Sequence, residues 1–236
     1  HASIAVDDSG ALPFVISARI ESAVKQLIDT KLDYLPGFAG ENRYSTESDR
    51  FRFSRLYLPG NIPSMMINAG LHSADGIILD LEDSVAPERK DEARILVRNA
   101  LRQVDFCGAE RMVRINQGER GLKDLDQVMP QNVNLVLIPK CEDPDSVVTV
   151  EKRIEEIRSL HGLLNPVWLM PIIESALGIE KAFAIASSSS KIVAMAIGLE
   201  DLTADIGVQR TKEGGESLYA RSRIVMAARA AGVAFP

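Results

Sequence analysis

Apolar and polar positions along the chain fall into two regimes. From Arg52 onward, short apolar runs at 53–58, 77–81, 112–115, 133–138, 167–172 and 192–197 alternate with amphipathic stretches such as 88–101, 145–160 and 178–186. Near-continuous apolar runs of strand length, separated by helices, are what a parallel sheet covered on its outer face requires. Six such repeats predict an α/β protein, either a TIM-type (β/α) barrel of about six βα units or a doubly wound sheet. Two features favour the barrel. No Gly-rich dinucleotide fingerprint follows the first strand, and charged residues crowd the carboxyl ends of nearly every strand, where a barrel builds its site. The sequence reaches Gly232-Val233-Ala234-Phe235-Pro236 where a seventh strand is expected, so the barrel is expected to be incomplete at this end.

Residues 1–50 follow another pattern. Ile16, Ile20, Val24, Leu27 and Ile28 recur at helical spacing over 14–32. Leu35-Pro36-Gly37 then ends the helix, and a polar stretch through Asp49 reads as a linker. The expected organisation is an N-terminal helical arm and linker over 1–50 and a barrel domain over 51–236.

Charge and composition narrow the chemistry. A net charge of −6 argues against nucleic acid or an anionic membrane as the main partner. The longest apolar runs are of strand length, short of a membrane span, and no basic-flanked apolar leader opens the sequence. Cys107 and Cys141 are too few for a disulfide framework, and a reducing cytoplasm is the expected setting. His1, His72 and His161 are scattered, which disfavours a zinc site or a histidine-based triad. A catalytic metal would therefore be held by carboxylates, the ligands of a hard cation such as Mg²⁺.

The strand ends supply those carboxylates. The second strand runs into Asp80-Leu81-Glu82-Asp83, whose like charges need a cation or a base to compensate them. Strand alternation sends Asp80 and Glu82 to one face and Asp83 to the other; the plainer alternative is a helix-capping cluster before Pro87. The third strand ends in Arg114, suited to bidentate capture of a carboxylate or to pairing with the acidic cluster. Lys140 after the fourth strand could face the mouth but is as readily a solvated charge, and Cys141 reads as an ordinary half-buried cysteine rather than a reactive thiol. Glu174 and Asp201 follow the fifth and sixth strands and are natural ligands for one octahedral Mg²⁺. In the turn Gly198-Leu199-Glu200, the glycine lets the backbone approach a ligand.

These motifs, together with Tyr57-Leu58-Pro59-Gly60-Asn61, Leu137 to Lys140 and Ile173 to Gly178, resemble the citrate lyase β-subunit and malyl-CoA lyase family of the HpcH/HpaI aldolase-like superfamily. Thr211-Lys212-Glu213-Gly214 and Tyr219-Ala220-Arg221-Ser222 look closer to citrate lyase β chains than to other branches. The resemblance implies a Mg²⁺-dependent carbon–carbon lyase on a (β/α)₈ barrel, a homotrimer or larger. Its substrate would be a citryl, citramalyl or malyl thioester of CoA or an acyl carrier, cleaved to an acetyl thioester and an oxo-acid.

Carried over by position, Glu174 and Asp201 would be the metal ligands, and Arg114 would bind the substrate's carboxylate or polarise the thioester carbonyl. Asp80, Glu82 and Asp83 would hold Arg114 and the metal's waters, with Gly198, Leu199 and Glu200 lining the substrate. The chain departs from the family pattern at Ile62-Pro63-Ser64-Met65, where CoA-using members carry arginines, which favours an acyl-carrier thioester. The family's acidic acid/base residue lies in a segment with no counterpart up to Pro236. Val6-Asp7-Asp8-Ser9-Gly10-Ala11-Leu12 into Ala18-Arg19-Ile20-Glu21 resembles the end of a citrate lyase acyl-carrier subunit. Two other readings stay open on the residues alone: an aldolase acting on free 2-oxo acids, and a non-catalytic assembly subunit.

Overall fold

A computed structural model of the chain describes residues 44–233. The helix expected over 14–32 and the carrier-like segment lie outside them. Six strands, β1 (Arg55–Pro59), β2 (Gly76–Asp80), β3 (Glu110–Arg114), β4 (Leu135–Ile138), β5 (Trp168–Ile173) and β6 (Ala196–Ile197), form one sheet in chain order. Every neighbouring pair is parallel. A doubly wound sheet reverses its strand order at a switch point; no reversal occurs among the described strands, so that alternative falls.

Parallel neighbours need crossovers. These run through α1 (Pro63–Ile67), α2 (Lys90–Gln103), α3 (Gly118–Val128), α4 (Pro144–His161), and the short α5 (Ala176–Glu180) and α6 (Ala182–Ala186); α7 (Leu199–Asp205) and α8 (Leu218–Ala230) follow β6. The longest, α4, shows why the sequence folds this way. Asp143 caps it by accepting from the Ser146 N–H at 2.8 Å, Pro144 presets the first turn, and Gly162 ends it at φ 62°. Val147, Val150, Ile154 and Ile157 form its buried stripe. The helix expected over 178–186 is interrupted at Lys181, where φ −91° and ψ 5° leave helical geometry. The expected sixth strand is also shorter: Ile192 joins Leu169 through a single bridge, and only Ala196 and Ile197 pair regularly.

Alternation divides the strands between two cores. Ile77, Leu79, Val113, Val136, Ile138, Leu169 and Ile173 pack with the helices, whereas Ile78, Met112, Leu135, Leu137, Met170 and Ile172 form a second cluster on the opposite face. That second face is concave. Arg55 on β1 donates to the sulfur of Met170 on β5 at 3.4 Å, although four strand spacings of a flat sheet would separate them by roughly 19 Å. The sheet is therefore curled into an open half-barrel with an apolar interior.

Its amino end is plugged by the segment entering β1. Thr46 and Arg52 both bond the buried carboxylate of Glu110, Arg52 through Nε at 2.6 Å and Nη2 at 2.9 Å. The Thr46 carbonyl accepts from the Trp168 indole at 2.7 Å, and the Tyr44 carbonyl from Asn134 at 2.9 Å. With these amino ends occupied by structural pairs, the carboxyl ends are left for chemistry.

Candidate active site

Asp80 and Arg114 close β2 and β3 in register, on the same face as Ile78 and Met112. The guanidinium grips Asp80 bidentately, Nε to Oδ1 at 2.7 Å and Nη2 to Oδ2 at 2.6 Å. The same carboxylate accepts the N–H groups of Glu82 at 2.9 Å and Ser84 at 3.1 Å. Those bonds bend the chain as soon as the strand ends, and both following carboxylates return to Arg114: Glu82 at 3.3 Å and Asp83 at 3.6 Å. Strand alternation fails at Asp83 for this reason. The helix-capping alternative fails as well, because no side chain caps the turn at Pro87–Arg89. The Arg114 guanidinium also stacks over the Tyr57 ring, 5.4 Å from its centroid.

Opposing effects act on these groups. Burial raises Asp80, but the Arg114 bonds outweigh it and hold the carboxyl below its ordinary range. Burial and then Asp83 push Glu82 upward. Lys90 fixes the loop from beneath. Its ammonium donates to the carbonyls of Leu81 at 3.1 Å and Glu82 at 2.8 Å and to Asn116 at 2.6 Å.

Beyond β4, Lys140 adopts φ 47°, and its backbone N–H donates to Glu174 Oε1 at 2.7 Å. Its ammonium stands 3.4 Å from Glu82, 3.3 Å from Asp83 and 3.3 Å from Asp201. Burial works against that charge, yet the three carboxylates prevail and lift the lysine above its ordinary value. Glu174, buried after β5, is raised by desolvation and then by the charges of Asp201 and Glu82. Asp201 lies in the first turn of α7; its Oδ2 is sealed from solvent and makes no hydrogen bond. Lys140, Glu174, Ser175, Asp201 and Asp205 line one open cleft of about 310 Å³. Among the described residues no three His, Cys, Asp or Glu side chains form a ready-made metal cage. Two carboxylates on an open cleft instead fit the few protein oxygens that Mg²⁺ commonly takes, with waters and substrate oxygens as its other ligands.

The sequence model of the HpcH/HpaI aldolase/citrate lyase family matches residues 54–236. The chain belongs to this family. It is 37% identical over 190 residues to the citrate lyase subunit beta of Leuconostoc mesenteroides subsp. cremoris, covering 79% of this chain and 63% of that protein. It thus spans less than two thirds of that relative's length. Among solved structures it is similar to protein CitE from Mycobacterium tuberculosis in complex with magnesium and acetoacetate, with a TM-score of 0.62 and 29% identity over 78% of this chain and 73% of that one. A second CitE structure from the same organism, with magnesium, acetoacetate and coenzyme A, aligns with a TM-score of 0.60 and 29% identity, covering 78% and 66%.

Within this HpcH/HpaI-type site the structure brings together Asp80, Glu82, Asp83, Arg114, Glu174 and Asp201, and adds Lys140. Leu199 packs against the core, and the exposed Glu200 pairs with Arg210; neither joins the cluster. Cys141 is buried and its thiol is pushed up to about 12 by desolvation, so it is no nucleophile. Gly198 is explained by Glu174. A Cβ there would sit 2.2 Å from Glu174 Oε2 and 2.8 Å from its Cβ, whereas φ −93° strains no residue. Gly198→Ala is expected to fold but to displace the Glu174 carboxylate, weakening Mg²⁺ affinity roughly tenfold, the scale of a disturbed neighbour to a metal ligand. Calorimetric titration measures it, and an unchanged affinity would count against Glu174 as a metal ligand.

Proposed function

We propose that this chain is the lyase part of a Mg²⁺-dependent enzyme that splits a 3-hydroxyacyl thioester (citryl, citramalyl or malyl) into an acetyl thioester and an oxo-acid. The half-barrel is read as part of a TIM-type barrel spanning 51–236, with 1–50 as its arm. The observation that carries the reading is the convergence of the Glu174–Asp201 pair and the Arg114 cluster on one strand-end mouth.

Glu174 and Asp201 would hold the ion, which when bound supplies a Lewis acid for the substrate's hydroxyl and carboxylate oxygens. Cleavage takes the hydroxyl proton to a base as that oxygen becomes the oxo-acid carbonyl. The electron pair of the breaking carbon–carbon bond moves onto the thioester carbonyl as an enolate, and a proton returned to the enolate carbon gives the acetyl thioester. Arg114 is the fixed cation able to balance that charge. Asp80 orients its fork, and the longer contacts to Glu82 and Asp83 leave Nη1 the group most easily yielded to a substrate oxygen. Tyr57 covers one face of the guanidinium.

The coenzyme A held by a structural relative supports a thioester substrate; an acyl-carrier thioester presents the same reacting group. A homotrimer or larger assembly in the cytoplasm completes the proposal. Among the described residues no helix is long and apolar enough to cross a membrane. The test is release of oxo-acid from citryl-CoA, citramalyl-CoA and malyl-CoA with Mg²⁺ and with a chelator. Cleavage of at least one thioester, abolished by the chelator, is expected. Cleavage of the free acids alone would instead mark an aldolase, and no turnover together with no Mg²⁺ binding an assembly subunit.

A further inference from the structure

We infer that Lys140 is a built-in counter-ion for the cation seat: its ammonium stands among the mouth carboxylates before the divalent ion binds and leaves Asp201 when the ion arrives. The inference rests on Glu174 and Asp201 being the metal pair.

The main chain of Lys140 is anchored independently of its side chain. The φ of 47° and the N–H to Glu174 Oε1 at 2.7 Å fix the backbone beside one proposed ligand. The side chain is held differently. Its ammonium keeps 3.3–3.4 Å from Glu82, Asp83 and Asp201, a point charge centred in a field of anions. Two other buried-end cations of the same mouth show what a strut looks like. Arg114 reaches Asp80 at 2.6 and 2.7 Å, and Lys90 contacts fixed oxygens at 2.6, 2.8 and 3.1 Å.

Asp201 Oδ2 carries the argument further. It is closed to solvent and makes no hydrogen bond, and the ammonium at 3.3 Å is its charge partner. A hard cation satisfies such an oxygen better than a distant ammonium. A divalent ion there also repels the ammonium across a few ångströms. The lysine stem is flexible and its side chain is 35% exposed, so it can turn without moving the backbone. It then remains against Glu82 and Asp83, the two carboxylates that also face Arg114. Ion arrival at one side of the mouth thereby changes the charge balance beside Arg114 on the other.

Mg²⁺ titration by calorimetry tests this on the wild type, Lys140→Met, Lys140→Arg and Glu174→Gln. Lys140→Met is expected to bind Mg²⁺ roughly tenfold more tightly because a competing like charge is gone, whereas Lys140→Arg stays near wild type. Equal or weaker binding by Lys140→Met would make the lysine a strut and overturn the inference. Wild type and Glu174→Gln binding Mg²⁺ equally, or not at all, would remove the metal pair itself. Should Lys140→Met not fold, acetylation of Lys140 in the wild type decides, read by mass spectrometry. Labelling should rise several-fold with Mg²⁺, and unchanged or lower labelling counts against release.

Discussion

Arg114→Met is expected to lose turnover by about 10²–10³-fold and to lower the unfolding free energy by roughly 3–5 kcal/mol at neutral pH. The second effect follows from what remains. Asp80 and Glu82 are almost wholly enclosed, and both lie against a guanidinium that is itself largely buried and that holds Asp80 below its ordinary range. Removing it strands Asp80 without its cation, although Lys140 still faces Glu82. Lysine at 114 would restore charge but not the two parallel N–H bonds to Asp80, so Arg114→Lys should regain stability in part and activity little.

The pH dependence has a definite sign. In the wild type Asp80 is held below its ordinary value, so its contribution is present above the unfolded-state value, near pH 4, and is lost as pH falls through the folded one. In Arg114→Met burial is opposed only by the Glu82 and Ser84 N–H bonds, and the same carboxyl rises above its wild-type value. The deficit is then greatest at neutral pH and shrinks as acid protonates the group. Urea unfolding at pH 7.5 and pH 5 reads this directly. Asp80→Asn added to Arg114→Met should recover part of the stability and none of the activity. A deficit identical at both pH values would mean that lost packing, not stranded charge, is the cause.

Much of this was legible because a parallel sheet writes itself as apolar runs. The strands at 77–81, 112–115, 133–138 and 167–172 lie within two residues of those observed, and their ends name Asp80, Arg114 and Glu174. The curl of the sheet was legible only as a class of fold; the Arg55 contact to Met170 depends on strand stagger, which no pattern along the chain encodes. Asp83 was assigned to the wrong face because alternation was extended past a strand that stops at Asp80. Lys140 was undervalued for a related reason. A lysine after a strand is ordinarily solvated, and only its left-handed backbone turns it onto three carboxylates contributed by distant parts of the chain. Gly198 carried a signal that was read toward a ligand, and the structure adds a second demand on the same position, the space taken by Glu174.

Glu174→Gln separates chemistry from folding. It should abolish Mg²⁺ binding and cut thioester cleavage by about 10³-fold or more, since a bound metal supplies several kcal/mol of charge stabilisation. Yet the variant should melt at the same temperature as the metal-free wild type, or higher. Glutamine keeps the shape and the oxygen that accepts the Lys140 N–H at 2.7 Å. Glu174 is also raised, by burial first and then by Asp201 and Glu82. Its ionised form is thus disfavoured by folding, a destabilising contribution that sets in as pH rises above the unfolded-state value. A neutral isostere removes it. Mg²⁺ should raise the melting temperature of the wild type by mass action and leave that of Glu174→Gln unmoved. Wild-type turnover in the variant would take Glu174 out of the metal pair. A lower melting temperature without metal would instead make its charge a structural one, held for Lys140 and not for a cation.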